Sequence, residues 1–238
     1  MSRFYTEIAR YYEYIFPVRK AKIELIKELA GKLPADILDV ACGPGGYSKI
    51  LKDAGYNITA VDLDEKMVKN LKEKDNSIDA YVLNMTEIGE MDKKFDLIFC
   101  IGNSLVHLAD EEEIFTFLQD CRNCLKSGGK LLIQIVNYDR ILDGGVKSLP
   151  TIVNDEVDLV FERYYEYLPD KHKIDFKTIL KVDNREMENH VLLHPIQSKK
   201  LLSLLEEVGF LSLKTYGNFN KDEFDPLLSF PLVVTAGK

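Results

Sequence analysis

The 238-residue chain has little positive charge and no long apolar run. Its 31 lysines and arginines are outnumbered by 39 aspartates and glutamates, which gives a net charge of −8 at pH 7. Because phosphate binding needs a basic surface, this balance excludes a broad surface for nucleic acid or for an anionic membrane. The amino terminus lacks the uninterrupted apolar segment of a signal peptide, and no other stretch is long enough to span a bilayer. We therefore expect a cytoplasmic protein whose partners include neither nucleic acid nor a membrane.

Cysteine is also scarce, and four residues are too few for a disulfide framework. Cys121 and Cys124 have the C-x-x-C spacing of zinc and redox sites. No second pair completes such a site, and the apolar residues around them recur with helical period. We therefore interpret Cys121 as a small core residue and expect no metal. Cys42 and Cys100 lie at the ends of predicted strands, where close packing is the default interpretation.

The order of predicted elements is typical of a doubly wound α/β fold. After an amphipathic helix over residues 20–33, short apolar strands alternate with amphipathic helices as far as residue 138. The predicted strands are 37–42, 57–62, 80–83, 95–102 and 128–137. Such alternation implies parallel strands joined by right-handed crossovers, and hence a sheet that is covered on both faces.

Beyond residue 138 the pattern changes to strands that follow one another directly. Residues 158–195 predict an antiparallel meander with turns near Pro169 to Lys171 and Asp183 to Arg185. One further helix ends at Gly209, and strands near 211–216 and 232–236 follow it. A polar loop without room for a clear helix separates these two strands, so we expect them to pair antiparallel.

A glycine cluster follows the first predicted strand. Gly43, Gly45 and Gly46, with Pro44 among them, allow the backbone to turn tightly and to approach a ligand closely. The helix that follows presents free amides and the positive end of its dipole. The pattern favours a bound small molecule with a nucleotide or a carboxylate, although an ordinary strand-to-helix turn would also contain glycine.

The ends of the other predicted strands carry polar residues. In an open α/β sheet the ligand crevice lies beyond the carboxyl ends of the strands. The second strand ends in Asp62, the third in Asn84, the fourth in Asn103 and the fifth in Asn137. Asp62 follows the glycine cluster at about the spacing of acidic residues that bind ribose in nucleotide folds, and a carboxylate can accept both protons of a vicinal diol.

A nicotinamide-dependent dehydrogenase is the competing interpretation of this loop. Its G-x-G-x-x-G motif needs a third glycine where this chain has Ser48, although another small residue can serve there. Pro44 is the stronger objection, because it removes an amide from the loop that would bind a diphosphate. A ligand that has a carboxylate and no diphosphate depends less on the amide that Pro44 removes.

Four motifs, "DVACGPGG", "AVDLD", "FDLIFCIGNSLVHL" and "LKSGGKLLI", resemble those of class I S-adenosylmethionine-dependent methyltransferases in order and spacing. The similarity extends over nearly the whole chain. It implies S-adenosylmethionine as the cofactor and a Rossmann-like sheet that ends in an antiparallel strand. It also implies a division into a helical lid segment over residues 1–36, a core over 37–138 and 195–238, and a β-rich insert over 139–194 that forms a wall of the substrate site.

The same resemblance assigns cofactor contacts residue by residue. It implies that Asp39 helps to hold the ammonium group, that Asp62 binds the ribose hydroxyls and that Leu63 packs on the adenine. The remaining contacts that it implies are Gly43 and Gly45 at the methionine moiety, Asn84 and Met85 at the adenine edge, Tyr11 in the lid, and Ile101. Many family members have aspartate at the Asn84 position, so here an amide must serve the adenine.

A narrower resemblance lies in "IGNSLVHL" and "VNYDRIL", which are similar to segments of the glycine and sarcosine N-methyltransferase branch. It implies that Asn103 helps to bind an amino-acid substrate, and we expect a small amine or amino-acid-like acceptor. His107 lies a helical turn beyond Asn103 and is a candidate base or hydrogen-bond donor to the substrate. Alternatively, His107 only packs or caps the start of the next helix.

The stretch "FERYYEY" is a candidate wall of the substrate site. On a strand, Phe161, Arg163, Tyr165 and Tyr167 share one face. Arg163 and Tyr165 are therefore candidates for holding a substrate carboxylate or sheltering a cationic amine. The alternative is that these aromatic residues only bury the insert against the core.

The leading hypothesis is thus a methyltransferase that acts on a small molecule, without a signal that fixes its oligomeric state. Two other functions stay open on the sequence alone. One is a catalytically silent protein that senses or stores S-adenosylmethionine, because alignment-only catalysis leaves no indispensable side chain to look for. The other is a nucleotide-dependent oxidoreductase, which the loop already disfavours.

Overall fold

Residues 10–238, which a computed structural model describes, form a seven-stranded sheet with helices on both faces and a separate four-stranded antiparallel sheet. The first nine residues of the expected lid segment lie outside the described residues. The α/β fold, its final antiparallel strand and the antiparallel insert after the fifth strand are all confirmed. Among the described residues, no helix combines the length and apolar character needed to cross a membrane.

The large sheet has the strand order β10-β11-β5-β4-β1-β2-β3. Its strands are β1 (Asp36–Val40), β2 (Asn57–Asp62), β3 (Asp79–Val82), β4 (Phe95–Cys100), β5 (Leu125–Val136), β10 (Leu211–Tyr216) and β11 (Pro231–Gly237). The first five strands are parallel, whereas β11 runs antiparallel to β5 and β10 antiparallel to β11. The carboxyl ends of β1 to β5 therefore lie along one edge, which we call the ligand edge.

The helices alternate with these strands as the sequence predicts. They are α1 (Tyr12–Ile15), α2 (Lys20–Ala30), α3 (Gly46–Asp53), α4 (Glu65–Lys74), α5 (Glu111–Cys124), α6 (Tyr138–Leu142) and α7 (Ser198–Val208). Side-chain caps explain several of their starts. The Asp64 carboxylate accepts from the amides of Lys66 and Met67, and the Asp110 carboxylate accepts from the amide of Glu113. The apolar faces of α5 and α7 pack on one side of the sheet, and those of α2, α3 and α4 on the other.

The insert is a meander of β6 (Ser148–Asn154), β7 (Leu159–Leu168), β8 (Lys173–Val182) and β9 (Arg185–Leu193). Both predicted turns are present, between β7 and β8 and between β8 and β9. The sequence analysis missed β6 and the short helix α6. Strand β6 contains Pro150 near a register shift against β7, and an edge strand interrupted in this way gives little periodic signal.

Three apolar clusters hold the described residues together, and the third has consequences for the amino-terminal segment. The first two fill the two faces of the large sheet. The third cluster consists of Ile15, Leu159, Phe161, Leu180 and Val182. Helix α1 therefore packs on the insert, whereas α2 packs on the core. The expected lid segment is divided between the two, and we propose that residues 10–15 belong with the insert and residues 20–36 with the core.

Candidate active site

The glycine loop after β1 needs backbone conformations that favour glycine. Ala41, Gly43 and Gly45 have φ values of 57°, 55° and 78°. At Gly45 the need is also steric, because a Cβ atom there would lie 2.2 Å from Cδ1 of Leu71 on α4. The loop thus brings the start of α3 close to α4, and Gly45 is the point of contact.

Asp62, at the end of β2, is held in place by two backbone amides. Its Oδ2 accepts from the amide of Gly43 at 2.8 Å, and its Oδ1 accepts from the amide of Asp64 at 2.9 Å. Burial raises the pKa of this carboxyl group, while the two amides act in the opposite direction. Each carboxylate oxygen has more than one acceptor site, so the fixed carboxylate suits a pair of vicinal hydroxyls.

Asp39, near the end of β1, is almost inaccessible, with 3% of its surface exposed. Its Oδ2 accepts a hydrogen bond of 2.6 Å from Oγ of Ser48. Burial raises the pKa of Asp39 to about 7, against the effect of the Ser48 hydroxyl. Ser48 occupies the position of the third glycine in a dehydrogenase motif. Here its hydroxyl group orients the Asp39 carboxylate. A cationic group beside Asp39 would offset the burial of its charge.

The residues expected at an adenine base differ in their exposure. Leu63 follows Asp62 and is 52% exposed, although it is a leucine beside a buried strand. Asn84 caps the 3-10 helix Met85–Glu90: its side-chain oxygen accepts from the amide of Thr86 at 3.3 Å. Met85 is half-buried and packs against the first apolar cluster, and Ile101 is buried just after β4. An exposed leucine at this position suits the flat face of a base.

The loop after β4 is fixed by Gln134 of β5. The Gln134 side-chain oxygen accepts from the amide of Gly102 at 3.0 Å, and its backbone oxygen accepts from the amide of Asn103 at 3.2 Å. These bonds hold two successive residues with positive φ, 86° at Gly102 and 73° at Asn103. The sequence analysis missed Gln134. Its signal was a lone glutamine in the otherwise apolar run "LLIQIV".

The Asn103 side chain connects the loop to β5 and α6. Its Oδ1 accepts from the amide of Val136 at 2.9 Å, and its Nδ2 donates to the hydroxyl of Tyr138 at 3.1 Å. An amide nitrogen has two hydrogens, so Nδ2 retains one for a ligand. The structure thus gives Asn103 a positioning role that the sequence did not reveal, and Tyr138 is a second residue that the sequence analysis missed.

His107 ends the 3-10 helix Leu105–His107, and its side chain reaches solvent. Protein atoms nevertheless surround the ring closely enough that desolvation lowers its pKa to about 4. The imidazole is therefore neutral near pH 7 and is a weak proton acceptor. Of the two roles considered from the sequence, this favours a hydrogen bond to a substrate over general-base catalysis.

Arg163 and Tyr165 lie on the inner face of the insert, as the strand alternation predicts. Tyr165 is buried and stacks on Phe176 with ring centroids 5.1 Å apart, so it serves the packing of the insert. Nη2 of Arg163 donates to the backbone oxygen of Pro150 at 2.7 Å. The insert is joined to the site by a hydrogen bond of 2.8 Å from the amide of His194 to the backbone oxygen of Val106.

Tyr11, an expected cofactor contact, is directed elsewhere. Its hydroxyl donates to Oδ2 of Asp183, in the turn between β8 and β9, at 2.5 Å. The tyrosine at the glycine loop is Tyr12: a Cβ atom on Gly43 would lie 3.5 Å from its hydroxyl oxygen. We therefore replace Tyr11 by Tyr12 as the candidate contact. One residue along a helix rotates a side chain by about 100°, which is why the sequence did not separate the two.

Lys74 joins α1 to the glycine loop. Its Nζ lies 2.7 Å from Oε1 of Glu13 in α1 and donates to the backbone oxygen of Pro44 at 3.0 Å. Lys74 is not predicted from the sequence, because its partners come from two distant segments. With Tyr12, Lys74 makes α1 a cover of the glycine loop.

Cys100 and Cys121 are buried in the core. Cys121 is 0% exposed and lies in the first apolar cluster, which confirms its interpretation as a core residue. Burial also raises the pKa of Cys100 to about 12, which makes the thiol unreactive. Within residues 10–238, no three histidine, cysteine or acidic side chains are grouped so that they could hold a metal ion.

Comparison with known families and proteins gives one consistent result. A family described as "Methyltransferase domain" matches residues 37–129. Glycine/sarcosine N-methyltransferase of Aphanothece halophytica is 30% identical over 207 residues, which cover 84% of this chain and 74% of that protein. Glycine N-methyltransferase of Homo sapiens is 35% identical over 127 residues, covering 46% of this chain and 43% of that protein.

The described fold also matches solved structures. An S-adenosylmethionine-dependent methyltransferase from Clostridium acetobutylicum ATCC 824 aligns with a TM-score of 0.79 and 17% identity over 98% of both chains. The CcbJ methyltransferase from Streptomyces caelestis aligns with a TM-score of 0.81 and 18% identity over 96% of this chain and 95% of that one. At these identities the likeness concerns the fold. The comparisons lend no support to an oxidoreductase or to a catalytically silent binding protein.

Proposed function

The chain belongs to the S-adenosylmethionine-dependent methyltransferases, and from that premise we propose that it transfers a methyl group to the nitrogen of a small amino-acid-like amine. Two of its relatives are named for glycine and sarcosine as acceptors. The observation that carries the proposal is the Asn103 side chain at the ligand edge, which is fixed by the amide of Val136 and the hydroxyl of Tyr138.

The cofactor side of the ligand edge fits S-adenosylmethionine. Asp62 would hold the ribose hydroxyls, Asp39 would face the ammonium group, and Leu63 would cover the base. Because Pro44 has no amide hydrogen, the loop suits a ligand without a diphosphate. When bound, S-adenosylmethionine supplies a methyl group whose bond to sulfur breaks, with the electron pair staying on sulfur, as the new carbon–nitrogen bond forms.

The acceptor side fits an amine, because in-line displacement requires alignment and a free lone pair rather than strong acid or base groups. A neutral amine has such a lone pair, and the proton that its nitrogen loses can pass to water. His107, whose pKa is lowered to about 4, does not compete for that proton near pH 7. The Asn103 amide, fixed by Val136 and Tyr138, would orient the nitrogen.

Activity is tested by incubating the protein with S-adenosylmethionine and a panel of small amines that includes glycine and sarcosine. The expected result is formation of S-adenosylhomocysteine together with an acceptor that gains one methyl group on nitrogen, measured by mass spectrometry. Tight binding of S-adenosylmethionine without transfer to any amine would contradict the proposal and favour a binding protein.

Asp62→Ala tests the cofactor assignment separately. We expect S-adenosylmethionine affinity to fall by about 1–3 kcal/mol, because the charge-assisted acceptors for two hydroxyls are lost. Calorimetry measures this directly, with Asp79→Ala at the opposite edge of the sheet as the control. Unchanged affinity in a folded Asp62→Ala variant would remove Asp62 from the site.

A further inference from the structure

The inner face of the insert carries one polar row across three strands. Arg163 of β7 is the direct cross-strand partner of Thr178 on β8, which is the direct partner of Asn189 on β9. We call these three residues the polar row. Directly paired residues on one face of a sheet have Cβ atoms about 5 Å apart, so the three side chains form one group.

Apolar rows flank the polar row on both sides. On one side the partners are Phe161, Leu180 and Met187, and on the other they are Tyr165, Phe176 and Val191. All six residues are buried or half-buried, so this face is turned away from solvent. A polar row within an apolar face is costly unless its groups find partners.

Two donors of the polar row, on Arg163 and Thr178, have no acceptor among the described residues. Thr178 is 0% exposed, and its hydroxyl has no hydrogen-bond partner among the described residues. Nε of Arg163 is likewise buried without a partner there, although Nη2 donates to Pro150. Desolvation lowers the pKa of Arg163, yet a guanidinium stays protonated in proteins. A half-buried guanidinium whose buried Nε lacks a partner, beside the buried Thr178 hydroxyl, suits an anion.

The polar row lies between the two attachments of the insert. On the Tyr165 side, Tyr165 and Leu193 share the first apolar cluster with Leu105 and Tyr138, next to the loop of Asn103. On the other side, the third cluster holds α1, and Tyr12 of α1 lies at the glycine loop. The insert is thus attached near both loops, and the polar row lies between the two apolar rows that contribute to these attachments.

We propose that the polar row binds a carboxylate of the methyl acceptor, with Arg163 and Thr178 as the principal donors and Asn189 beside them. This inference rests on the proposed function, since it names the part of the amine substrate that the insert recognises. One guanidinium matches one carboxylate charge, and the Thr178 hydroxyl adds a hydrogen bond without further charge. The amine would extend from this row toward Asn103, so the acceptor is an amino acid.

The inference is tested by binding to the protein in complex with S-adenosylhomocysteine. The probes are amino acids of two to six carbons with a terminal amine, each paired with the alkylamine that lacks the carboxylate, for example 4-aminobutanoate and propylamine. In the wild-type protein we expect at least one amino acid to bind about tenfold or more tightly than its paired amine, measured by calorimetry.

Three variants assign this preference to the polar row. Arg163→Met, which keeps most of the apolar stem, should abolish the preference, and Thr178→Val should reduce it about threefold or more. Lys177→Met is the matched control, because Lys177 pairs with Glu188 away from the inner face and loses the same charge. It should keep the full preference. Arg163→Lys, which keeps the charge, should retain part of it.

Several outcomes would overturn the inference. Wild-type protein that binds every amino acid and its paired amine equally, or Arg163→Met that weakens both equally, contradicts a carboxylate site. Loss of S-adenosylhomocysteine affinity in Arg163→Met would mean that the row serves the cofactor instead. Failure of the proposed function is a separate result, because it appears as absent methyl transfer, whereas the carboxylate preference is measured by binding alone.

Discussion

Asp39 and Asp62 are neighbouring carboxylates whose surroundings prepare them for different tasks. Asp62 receives two backbone amides, which fix it and favour its ionised form. Asp39 receives only the Ser48 hydroxyl and is almost fully buried, and the charge of Asp62 adds to the rise of its pKa to about 7. The fixed Asp62 carboxylate thus suits a pair of hydroxyls, whereas Asp39 is largely protonated below pH 7 and a cation beside it would favour its ionised form.

This difference predicts that cofactor binding releases a proton from Asp39 below pH 7. A carboxyl group with a raised pKa in the folded state holds its proton at pH 6, and the unliganded protein loses stability as the pH rises from about 4 to about 7. An ammonium beside it favours the anion. At pH 6, where the α-amino group of the ligand is already protonated, the heat of S-adenosylmethionine binding should therefore depend on the ionisation enthalpy of the buffer, with the sign of proton release.

Asp39→Asn should remove that buffer dependence at pH 6, because an amide has no proton to release. Asp62, whose pKa is also raised, remains in this variant and serves as the internal comparison. A wild-type binding heat that is the same in all buffers at pH 6 would show that Asp39 does not change its protonation when the cofactor binds.

Asn103→Ala should lower turnover while leaving the cofactor site intact. The variant loses the amide that we expect to orient the acceptor, and misalignment of a nucleophile costs on the order of 10- to 100-fold in rate. S-adenosylmethionine affinity should change little, because Asp39 and Asp62 belong to other loops. Calorimetry and steady-state kinetics separate these effects, with Asn57→Ala at the opposite edge as the control. Full activity in Asn103→Ala would exclude the assigned role.

Among single residues, the sequence predicts candidate site residues that are marked by their position at the end of a strand. It does not predict residues whose partners are distant in the sequence and come together only in the folded chain. Asp62 was identified because it ends a strand beyond a glycine loop. Gln134 and Thr178 were not, since each lies inside a strand and becomes informative only beside Gly102 or Arg163. Tyr11 is the prediction from the sequence and Tyr12 our proposed replacement, because a short helix gives no periodicity that separates adjacent residues.

At the scale of the elements, the glycine loop needs glycine both for its positive φ and for lack of space for a side chain. Comparing Gly45 with Gly128 distinguishes these two reasons. Gly45 has φ 78° and no room for a Cβ atom, whereas Gly128 in β5 has φ 77° and open space. Gly128→Ala should therefore cost about 1–2 kcal/mol of unfolding free energy, the cost of a left-handed alanine. Gly45→Ala should cost about 1–3 kcal/mol more, because Leu71 must move.

Denaturant unfolding of the two variants measures this difference, and cofactor affinity provides a second measurement. Gly45→Ala should also weaken S-adenosylmethionine binding, since the start of α3 is displaced from α4, while Gly128→Ala should not. Equal losses of stability in both variants would mean that the loop relaxes around the new methyl group and that contact with Leu71 does not restrict it.

The bounds of a strand are predicted well where its own sequence marks them and poorly where they depend on the rest of the fold. Strand β2 has the predicted bounds, because an apolar run and flanking turn residues mark both of its ends. Strand β1 stops at Val40, two residues early, because Ala41 takes a positive φ that ends the pairing. Strand β6 was missed, since it depends on its pairing with β7 more than on its own sequence.

For the described molecule as a whole, the attachment of α1 decides which parts move together. Ile15 is 2% exposed and packs among residues of β7 and β8. We therefore expect α1 to move with the insert. The same helix covers the glycine loop through Tyr12 and through the contacts of Lys74 with Glu13 and Pro44. The proposed cofactor and acceptor sites would therefore share one cover, whereas the predicted division into lid and insert assigns this helix to the lid alone.

Ile15→Ala should loosen this cover without loosening the core. Truncation of a buried isoleucine costs about 2–5 kcal/mol, and here that cost falls on the third cluster alone. Amide hydrogen exchange should quicken in α1, β7 and β8 and stay unchanged in β1 and β4, because local opening follows the contacts that hold each unit. Ile23→Ala in α2 is the control and should quicken exchange in the core instead. If Ile15→Ala accelerated exchange in α1 alone, or equally throughout residues 10–238, α1 and the insert would not form one unit.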